Sequence, residues 1–308
     1  MTALRRPLIL AAMITTLLAA CSAPASSPDR SPQIMGWPDL LDRPKPAPTR
    51  TIAYGDDTLQ KVDIWLPSGK APHPVVLMIH GGCWLTDVAD RSIMNWIADD
   101  LMKRGIAVWN IDYRGVDRAG GGYPGTYRDV AAAADLLAKD GATYGLKTDR
   151  IVVIGHSAGG HLGLWLAART ALAAASPLHA DTPMRATAVI SQGGIPDLRA
   201  MRAAVGHGCG TDGAVAMAGK PSPARPDIYA DTSPPEMPAS GIDEIQVNGD
   251  VDSIAPPAFA ADYAAKRKAK GQDVRSVTVA NTGHVELIAP DSAAWGVQVK
   301  LIEQALRR

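Results

Sequence analysis

The chain lacks net charge, internal repeats and a cluster of metal-ligating residues. Its 31 basic and 31 acidic side chains balance, and charged residues make up 20% of the 308 positions. This balance gives no indication of a nucleic-acid partner or of an electrostatic patch for an anionic membrane surface. The absence of a repeat excludes a solenoid. No closely spaced His, Cys and carboxylate residues have the spacing of a metal site, so we expect neither a metal nor another cofactor.

The apolar run at the N-terminus is short. It extends from Pro7 to Leu18, follows Arg5 and Arg6, and falls below the length that a helix needs to span a bilayer. A positively charged start before such a run is typical of a secretory signal, which we expect in residues 1–20.

A lipoprotein cleavage box follows the apolar run. Leu18-Ala19-Ala20-Cys21 matches the bacterial pattern in which the cysteine thiol receives a diacylglycerol and becomes the mature N-terminus. Ser22, in the second mature position, is typical of cargo sent to an outer membrane. The sequence therefore predicts an exported lipoprotein, anchored to the outer membrane through Cys21 and facing the periplasm. An ordinary signal that is cleaved after Ala25 is the alternative.

Proline is concentrated in residues 21–50, which hold seven prolines. Such a composition predicts an extended tether, although Trp37-Pro38-Asp39-Leu40-Leu41 within it is a candidate for docking on the domain. Residues 51–308 are long enough for one large domain.

Apolar runs alternate with helical stretches along residues 51–308. This alternation predicts an α/β fold with a mostly parallel sheet covered by helices on both faces, and catalytic groups then gather at the carboxyl ends of the strands. Residues 193–235 are rich in Gly and Pro, and we expect a cap-like insertion that walls a substrate pocket. The predicted strands are Lys61–Leu66, Val75–Ile79, Ile106–Tyr113, Ile151–Ile154, Ala186–Gln192, Ile245–Asn248 and Val274–Ala280, and the main predicted helices are Ser92–Lys103, Thr126–Lys139, Ala158–Ala175, Pro257–Lys270 and Ser292–Leu306.

The pentapeptide Gly155-His156-Ser157-Ala158-Gly159 stands between an apolar strand and an apolar helix. This context is what a G-x-S-x-G nucleophile elbow requires, and side chains in place of its glycines would collide with the neighbouring strand and helix. Ser157 is therefore predicted to be a nucleophile, with the N–H of Ala158 as an oxyanion donor. An ordinary tight turn is the alternative.

A serine nucleophile needs a base that takes its proton and an acid that orients the base. Where the serine lies on such an elbow, the acid and then the base follow it in the chain. His284 comes after a short β-branched strand and a polar loop, where a base could reach the elbow. His179 and His207 lie in surface-like connections and are weaker candidates. For the acid we favour Asp252, which lies further into its loop, over Asp250, which directly follows a turn glycine.

A second glycine motif, His80-Gly81-Gly82-Cys83-Trp84, follows the apolar strand at Val75–Ile79. Consecutive glycines leave backbone N–H groups bare, so that they can approach a substrate oxygen. Because the motif lies ahead of the elbow, we predict that it forms the second half of an oxyanion hole. A plain turn is the alternative.

With these motifs the chain, from about Thr51 to Arg308, resembles an α/β-hydrolase of the esterase/lipase group. It is most similar to the bacterial feruloyl-esterase-like and kynurenine-formamidase-like hydrolases. The resemblance implies a Ser157–His284–Asp252 triad with Gly82, Cys83 and Ala158 as oxyanion donors. The acid loop begins with Asn248 where these families usually have His, and Val285 replaces the aromatic residue that usually follows the catalytic histidine. The motifs that carry the resemblance are His80–Trp84, Trp109–Arg114, Gly120–Thr126, Gly155–Leu162, Asn248–Pro256 and Gly283–Ile288.

The activity implied is hydrolysis of a small-molecule ester or amide through an acyl-enzyme. A serine peptidase of the prolyl-oligopeptidase type is the first alternative, but those enzymes usually carry a large β-propeller. A non-catalytic binding module is the second alternative, although it would not need all three triad residues. Trp84, Tyr113 and Tyr123 are candidates for an aromatic substrate pocket, with the hydrophobic core as the other place for large aromatic side chains.

Two cysteines remain once Cys21 is assigned to the lipid. Cys83 lies in the oxyanion motif and Cys209 in the insertion, and an even pair in an oxidising compartment predicts a disulfide. Two unpaired thiols are the alternative.

Overall fold

Eight strands form one sheet in the computed structural model, which describes residues 33–203 and 209–307. In chain order they are β1 (Arg50–Ala53), β2 (Lys61–Trp65), β3 (His73–Ile79), β4 (Ala107–Ile111), β5 (Leu146–His156), β6 (Ala188–Gln192), β7 (Asp243–Gly249) and β8 (Val274–Val279). Their order across the sheet is β1-β2-β4-β3-β5-β6-β7-β8. The pairs β1–β2 and β2–β4 are antiparallel, and the other neighbours are parallel. The predicted α/β fold with a mostly parallel sheet is confirmed.

Helices cover both faces of this sheet because the central strands are apolar on both sides. In β3, Val75, Leu77 and Ile79 belong to one hydrophobic core, whereas Val76 and Met78 belong to the other. Successive side chains of a strand point to opposite faces. The helices in the described residues are α1 (Trp37–Leu41), α2 (Asn95–Lys103), α3 (Gly125–Asp140), α4 (Ala158–Ala168), α5 (Leu198–Ala203), α6 (Asp212–Ala218), α7 (Pro257–Ala269) and α8 (Ala293–Arg307). Residues of α3, α4 and α7 contribute to the first core, and residues of α2 and α8 to the second.

Two strands show the largest differences from the sequence prediction. The prediction missed β1, whose residues are mostly exposed and therefore show no apolar pattern. It also began the elbow strand at Ile151, whereas β5 begins at Leu146. The intervening residues 147–150 are polar and only partly covered, so they show no apolar pattern, and the pairing with β3 shifts across them from Pro74–Lys147 to Val75–Ile151.

The Pro-rich segment docks on the domain earlier than predicted. From Ile34 onward the chain belongs to one compact unit, and Leu40 of α1 is fully buried. The indole N–H of Trp96 donates to the carbonyl oxygen of Pro44 at 3.1 Å, and the side-chain amide of Asn95 donates to that of Pro46 at 2.9 Å. The predicted tether over residues 21–50 is therefore corrected, because its second half is packed and hydrogen-bonded.

Some sequence predictions fall outside the described residues. Residues 1–32, with the predicted signal and Cys21, are among these, as is His207. Within the ranges that the structure does describe, no helix combines the length and the apolar character needed to cross a membrane.

The insertion at residues 193–235 packs into the first core. It contributes the short helices α5 and α6, whose Met201, Ala214 and Met217 are buried there. The insertion is thus a packed extension of the domain, and it lies against the loop that follows β3, since Gly213 approaches the carbonyl oxygen of Cys83.

Candidate active site

The turn between β5 and α4 holds Ser157 in a strained backbone conformation. Its φ of 55° and ψ of −119° lie in a region that residues with a side chain rarely adopt, and such strain persists only where the surroundings enforce it. The surroundings are close here: a Cβ on Gly159 would lie 2.2 Å from the carbonyl oxygen of Ile79. The sequence Gly-x-Ser-x-Gly therefore forms a sharp strand-to-helix turn with the serine at its apex.

His284 and Asp252 form a buried pair beside this turn. His284 Nδ1 lies 2.7 Å from Asp252 Oδ2, and a carboxylate only accepts hydrogen bonds, so Nδ1 carries the proton. This fixes the tautomer of the imidazole and leaves Nε2 as an acceptor. Asp252 Oδ1 accepts from the N–H groups of Ile254 at 2.9 Å and Ala255 at 2.8 Å.

Asp252 remains ionised in this setting. Burial by itself raises the pKa of the carboxyl, but the hydrogen bond and charge of His284 and the two backbone N–H groups outweigh it and lower the pKa below its usual value of 3.8. Asp250 is placed elsewhere: it is exposed, and its Oδ1 accepts from the N–H of Thr282 at 3.1 Å. The structure therefore brings Asp252, and not Asp250, to His284.

The loop after β3 turns its backbone through three left-handed residues. Gly82, Cys83 and Trp84 have φ values of 99°, 55° and 60°. In the described part of the chain, no hydrogen bond from the N–H of Gly82 or Cys83 to the protein is found. Because a Cβ on the preceding Gly81 would lie 3.0 Å from the Cβ of Ser157, this loop runs directly beside the serine.

His80 holds the same loop from behind. Its ring stacks on Tyr113 at a centroid distance of 4.3 Å, and its Nε2 lies 3.0 Å from Asp112 Oδ1. The other oxygen of Asp112 accepts from Arg91 at 2.7 Å, and the hydroxyl of Tyr113 donates to the carbonyl oxygen of His80 at 3.0 Å. This buried network fixes the loop that carries Gly82 and Cys83.

The structure joins Cys83 and Cys209 by a disulfide. The bond links the loop after β3 to the insertion, and the two cysteines are 126 positions apart. In the chain-entropy model, closing a loop of that length stabilises the folded state by about 5 kcal/mol before any native strain is subtracted.

We expect reduction of this disulfide to lower both the melting temperature and kcat, because Cys83 belongs to the loop beside Ser157. Thermal unfolding and ester hydrolysis with and without reductant measure the two effects, and the Cys83→Ala/Cys209→Ala double variant, which has no bond to reduce, is the control. Non-reducing peptide mapping checks the bond itself. Alkylation of both cysteines in oxidised protein without reductant would contradict the prediction.

Two further histidines near the serine are uncharged at neutral pH. Burial, followed by the neighbouring His284, lowers the pKa of His156 to about 3, and its Nε2–H donates to the carbonyl oxygen of His284 at 3.2 Å. Burial likewise lowers the pKa of His161 to about 4. His161 accepts from the indole of Trp84 at 3.2 Å and donates to the carbonyl oxygen of Thr232 at 2.8 Å. Both rings therefore support the fold around the site and leave His284 as the candidate base.

A cavity of about 290 Å³ opens at the carboxyl ends of the strands, next to these residues. Both Ser157 and His284 contribute to its surface, and the rest of the surface is mostly apolar. No Asp, Glu, Lys or Arg is found among its described lining residues. The full lining is Trp37, Leu41, Gly82, Cys83, Val88, Ala89, Ile93, His156, Ser157, Ile254 and His284.

The predicted pocket aromatics are not part of this lining. Trp84 is fully buried against His161, and Tyr113 is buried against His80. The ring of Tyr123 lies 3.8 Å from the guanidinium of Arg225. The described residues of the insertion do not line the cavity either. Both predictions are corrected: the aromatics and the insertion pack into the domain behind the site.

The apolar lining was missed because it comes from separate short segments. Trp37 and Leu41 lie in the predicted tether, while Val88, Ala89 and Ile93 follow the glycine-containing loop after β3. The one available signal was the apolar group Trp37–Leu41, which stands out in a Pro-rich stretch.

The fold and this site define an α/β-hydrolase of the esterase type. Residues 62–262 match the BD-FAE family, and because the match covers well over half of the chain, the chain belongs to that family. Among solved structures, a truncated carbohydrate esterase from gut microbiota superimposes with a TM-score of 0.69 over 85% of this chain and 98% of that chain, at 20% identity. At this identity the likeness shows the fold alone.

Two relatives in sequence have different substrates in their names. A probable isoprenylcysteine alpha-carbonyl methylesterase of Arabidopsis thaliana is 32% identical over 37% of this chain and 23% of its own length. The kynurenine formamidase avaC of Aspergillus versicolor is 29% identical over 56% of this chain and 60% of its own length. The chain spans about a quarter of the length of the methylesterases that it matches.

Proposed function

We propose that this protein is a serine carboxylesterase that hydrolyses neutral esters through an acyl-enzyme. The observation that carries the proposal is the 2.7 Å hydrogen bond between Asp252 and His284. His284 lines one cavity together with Ser157, which lies at the apex of a strained turn. A serine hydroxyl is a weak nucleophile at neutral pH, and an oriented imidazole is the group that activates it.

The reaction proceeds in two halves. Ser157 Oγ attacks the ester carbonyl carbon while His284 Nε2 takes the hydroxyl proton, and the imidazolium then returns that proton to the leaving alcohol. A water molecule attacks the resulting acyl ester with His284 again as the base, which releases the carboxylic acid and restores Ser157. The N–H groups of Gly82, Cys83 and Ala158 stabilise the oxyanion in both halves, each by about 3 kcal/mol.

The uncharged lining favours uncharged substrates. Burying a carboxylate or an ammonium group without a partner costs several kcal/mol, and the described lining offers no side chain of opposite charge. An ester with an apolar acyl or alkyl group carries no charge, so it avoids this cost when it enters the cavity. Burial of its apolar surface contributes to its binding.

An arylformamidase is the second candidate, favoured by the similarity to avaC. The same acyl-transfer groups would cleave a formamide. The carboxylate and ammonium groups of a formylated amino acid, however, would have no charged partner among the described lining residues. The esterase hypothesis is therefore preferred. Neither the peptidase nor the binding-module alternative has a comparable observation in its favour.

A substrate panel tests this proposal. Purified protein is assayed for kcat/KM against p-nitrophenyl esters from acetate to octanoate, feruloyl esters, N-formylkynurenine and prolyl amides. We expect the neutral apolar esters to be hydrolysed fastest. A higher kcat/KM for N-formylkynurenine would replace the proposal with the formamidase, and one for prolyl amides would replace it with the peptidase.

We also propose that Cys21 carries a lipid that anchors the enzyme to the outer membrane, facing the periplasm. The support is the cleavage box Leu18–Cys21 and Ser22. Mass spectrometry of the mature N-terminus is expected to show a diacylglyceryl cysteine, and Cys21→Ser is expected to block processing or to release soluble protein. An unlipidated N-terminus downstream of Cys21, recovered from native membranes, would refute the anchor.

A further inference from the structure

Residues 34–43, here called the N-terminal segment, are fastened to the domain at both ends. At one end the N–H of Met35 donates to Glu286 Oε1 at 2.5 Å, and at the other Arg43 pairs with Asp291 at 2.8 Å. Between these contacts Leu40 is fully buried in the second core. The segment is therefore a fixed part of the folded domain.

One carboxylate joins this segment to the loop of the candidate base. While Glu286 Oε1 accepts from Met35, its Oε2 accepts from the N–H of Gly283 at 3.0 Å. Gly283 directly precedes His284, and Ile34 lies against it, since a Cβ on Gly283 would come within 2.7 Å of the Ile34 side chain. Because both hydrogen bonds end on the same carboxylate, the segment and the His284 loop are held in a fixed position relative to each other.

The position of this segment brings Trp37 into the cavity that Ser157 and His284 line. Its ring lies 6.3 Å from the ring of His284 and 6.3 Å from that of His156, and it is nearly perpendicular to both. Trp37 lines the cavity together with Leu41, which is 43% exposed. A rigid indole beside the base, next to a half-exposed Leu41, restricts the space that an apolar group of the substrate can occupy.

We propose that Trp37 is a specificity-determining residue, whose indole limits the size of the apolar group that this esterase accepts. The inference rests on the proposed function, because it assumes that esters react at Ser157, and it adds that the N-terminal segment completes the substrate site. The size of one apolar group in a pocket changes selectivity by roughly 10-fold or more, and an indole-to-methyl change removes far more than one methylene.

The experiment compares full-length wild type with Trp37→Ala and Trp37→Phe, using kcat/KM for p-nitrophenyl acetate and octanoate. We expect Trp37→Ala to raise the ratio of octanoate to acetate by at least about 10-fold, and Trp37→Phe to raise it less. Trp96→Phe is the matched control, because Trp96 does not line the cavity. This change removes the indole hydrogen bond to the carbonyl oxygen of Pro44, just after the N-terminal segment. Its ratio is expected to stay that of the wild type.

The outcomes separate the two proposals. An unchanged ratio in Trp37→Ala, an equal loss of kcat/KM for both esters, or an equal shift in Trp96→Phe would overturn the role of Trp37 while leaving the esterase intact. If Trp37→Ala does not fold, the ratio in Trp37→Phe decides by the same criterion. A wild type that hydrolyses no ester of the panel would instead overturn the proposed function.

Discussion

Ser157→Ala is expected to lower kcat for ester hydrolysis by roughly 10⁶, to the limit of detection, as loss of the nucleophile does in other serine hydrolases. The fold should remain intact, since the change removes a single hydroxyl. The same variant should fail to react with a fluorophosphonate probe, which phosphonylates an activated serine oxygen. Probe labelling on a gel and the rate of p-nitrophenyl ester hydrolysis measure the two effects.

Ser191→Ala is the matched control for this experiment. Ser191 is buried on β6, where it pairs with Gly155 of the elbow strand, but it does not line the cavity. Its alanine variant should keep both labelling and turnover. Labelling that survives in Ser157→Ala would assign the nucleophile to a different residue.

Asp252→Asn is expected to lower kcat by at least about 100-fold and by up to roughly 10⁴-fold. An asparagine can present its N–H₂ group to His284 Nδ1 and so favour the tautomer with the proton on Nε2. That tautomer cannot take the proton of Ser157. The variant is compared with wild type by kcat for a p-nitrophenyl ester, while circular dichroism monitors folding.

Asp250→Asn is the control, as the same substitution two positions away. Asp250 binds the N–H of Thr282 through Oδ1, an interaction that an asparagine oxygen can still make. Its kcat should stay within a few-fold of wild type. If Asp250→Asn were the more damaging of the two variants, the acid role would pass to Asp250.

The parts of the site that the sequence predicts are those written in short contiguous motifs. The elbow around Ser157 and the turn at Gly81-Gly82 require particular residue types at adjacent positions, because backbone atoms approach each other there within the space of a side chain. The placement of Asp252 followed from its position relative to the turn at Gly249. The parallel strands followed from apolar runs that are buried on both faces.

The substrate cavity could not be predicted in the same way. Val88 and Ile254 are apolar residues of loops and turns, and Ile93 lies in a short 3-10 helix. Nothing in their sequence neighbours distinguishes a cavity wall from a core position. The aromatics Trp84 and Tyr113 were the natural candidates by size, yet size also favours burial, and their polar atoms find partners behind the site. Which segments meet across the cavity depends on tertiary packing, and this packing cannot be predicted from local sequence patterns.

The early docking of the N-terminal segment has a consequence for where this enzyme can work. Cys21 lies thirteen residues before Ile34, and an extended chain of that length reaches at most about 45 Å, about the thickness of a bilayer with its headgroups. On the proposal that Cys21 carries the lipid, this length limits how far Ile34, the first residue of the N-terminal segment, can lie from the membrane surface. A force on the chain before Ile34 would act on Glu286 through the hydrogen bond from the N–H of Met35, and Glu286 lies two residues from the candidate base His284.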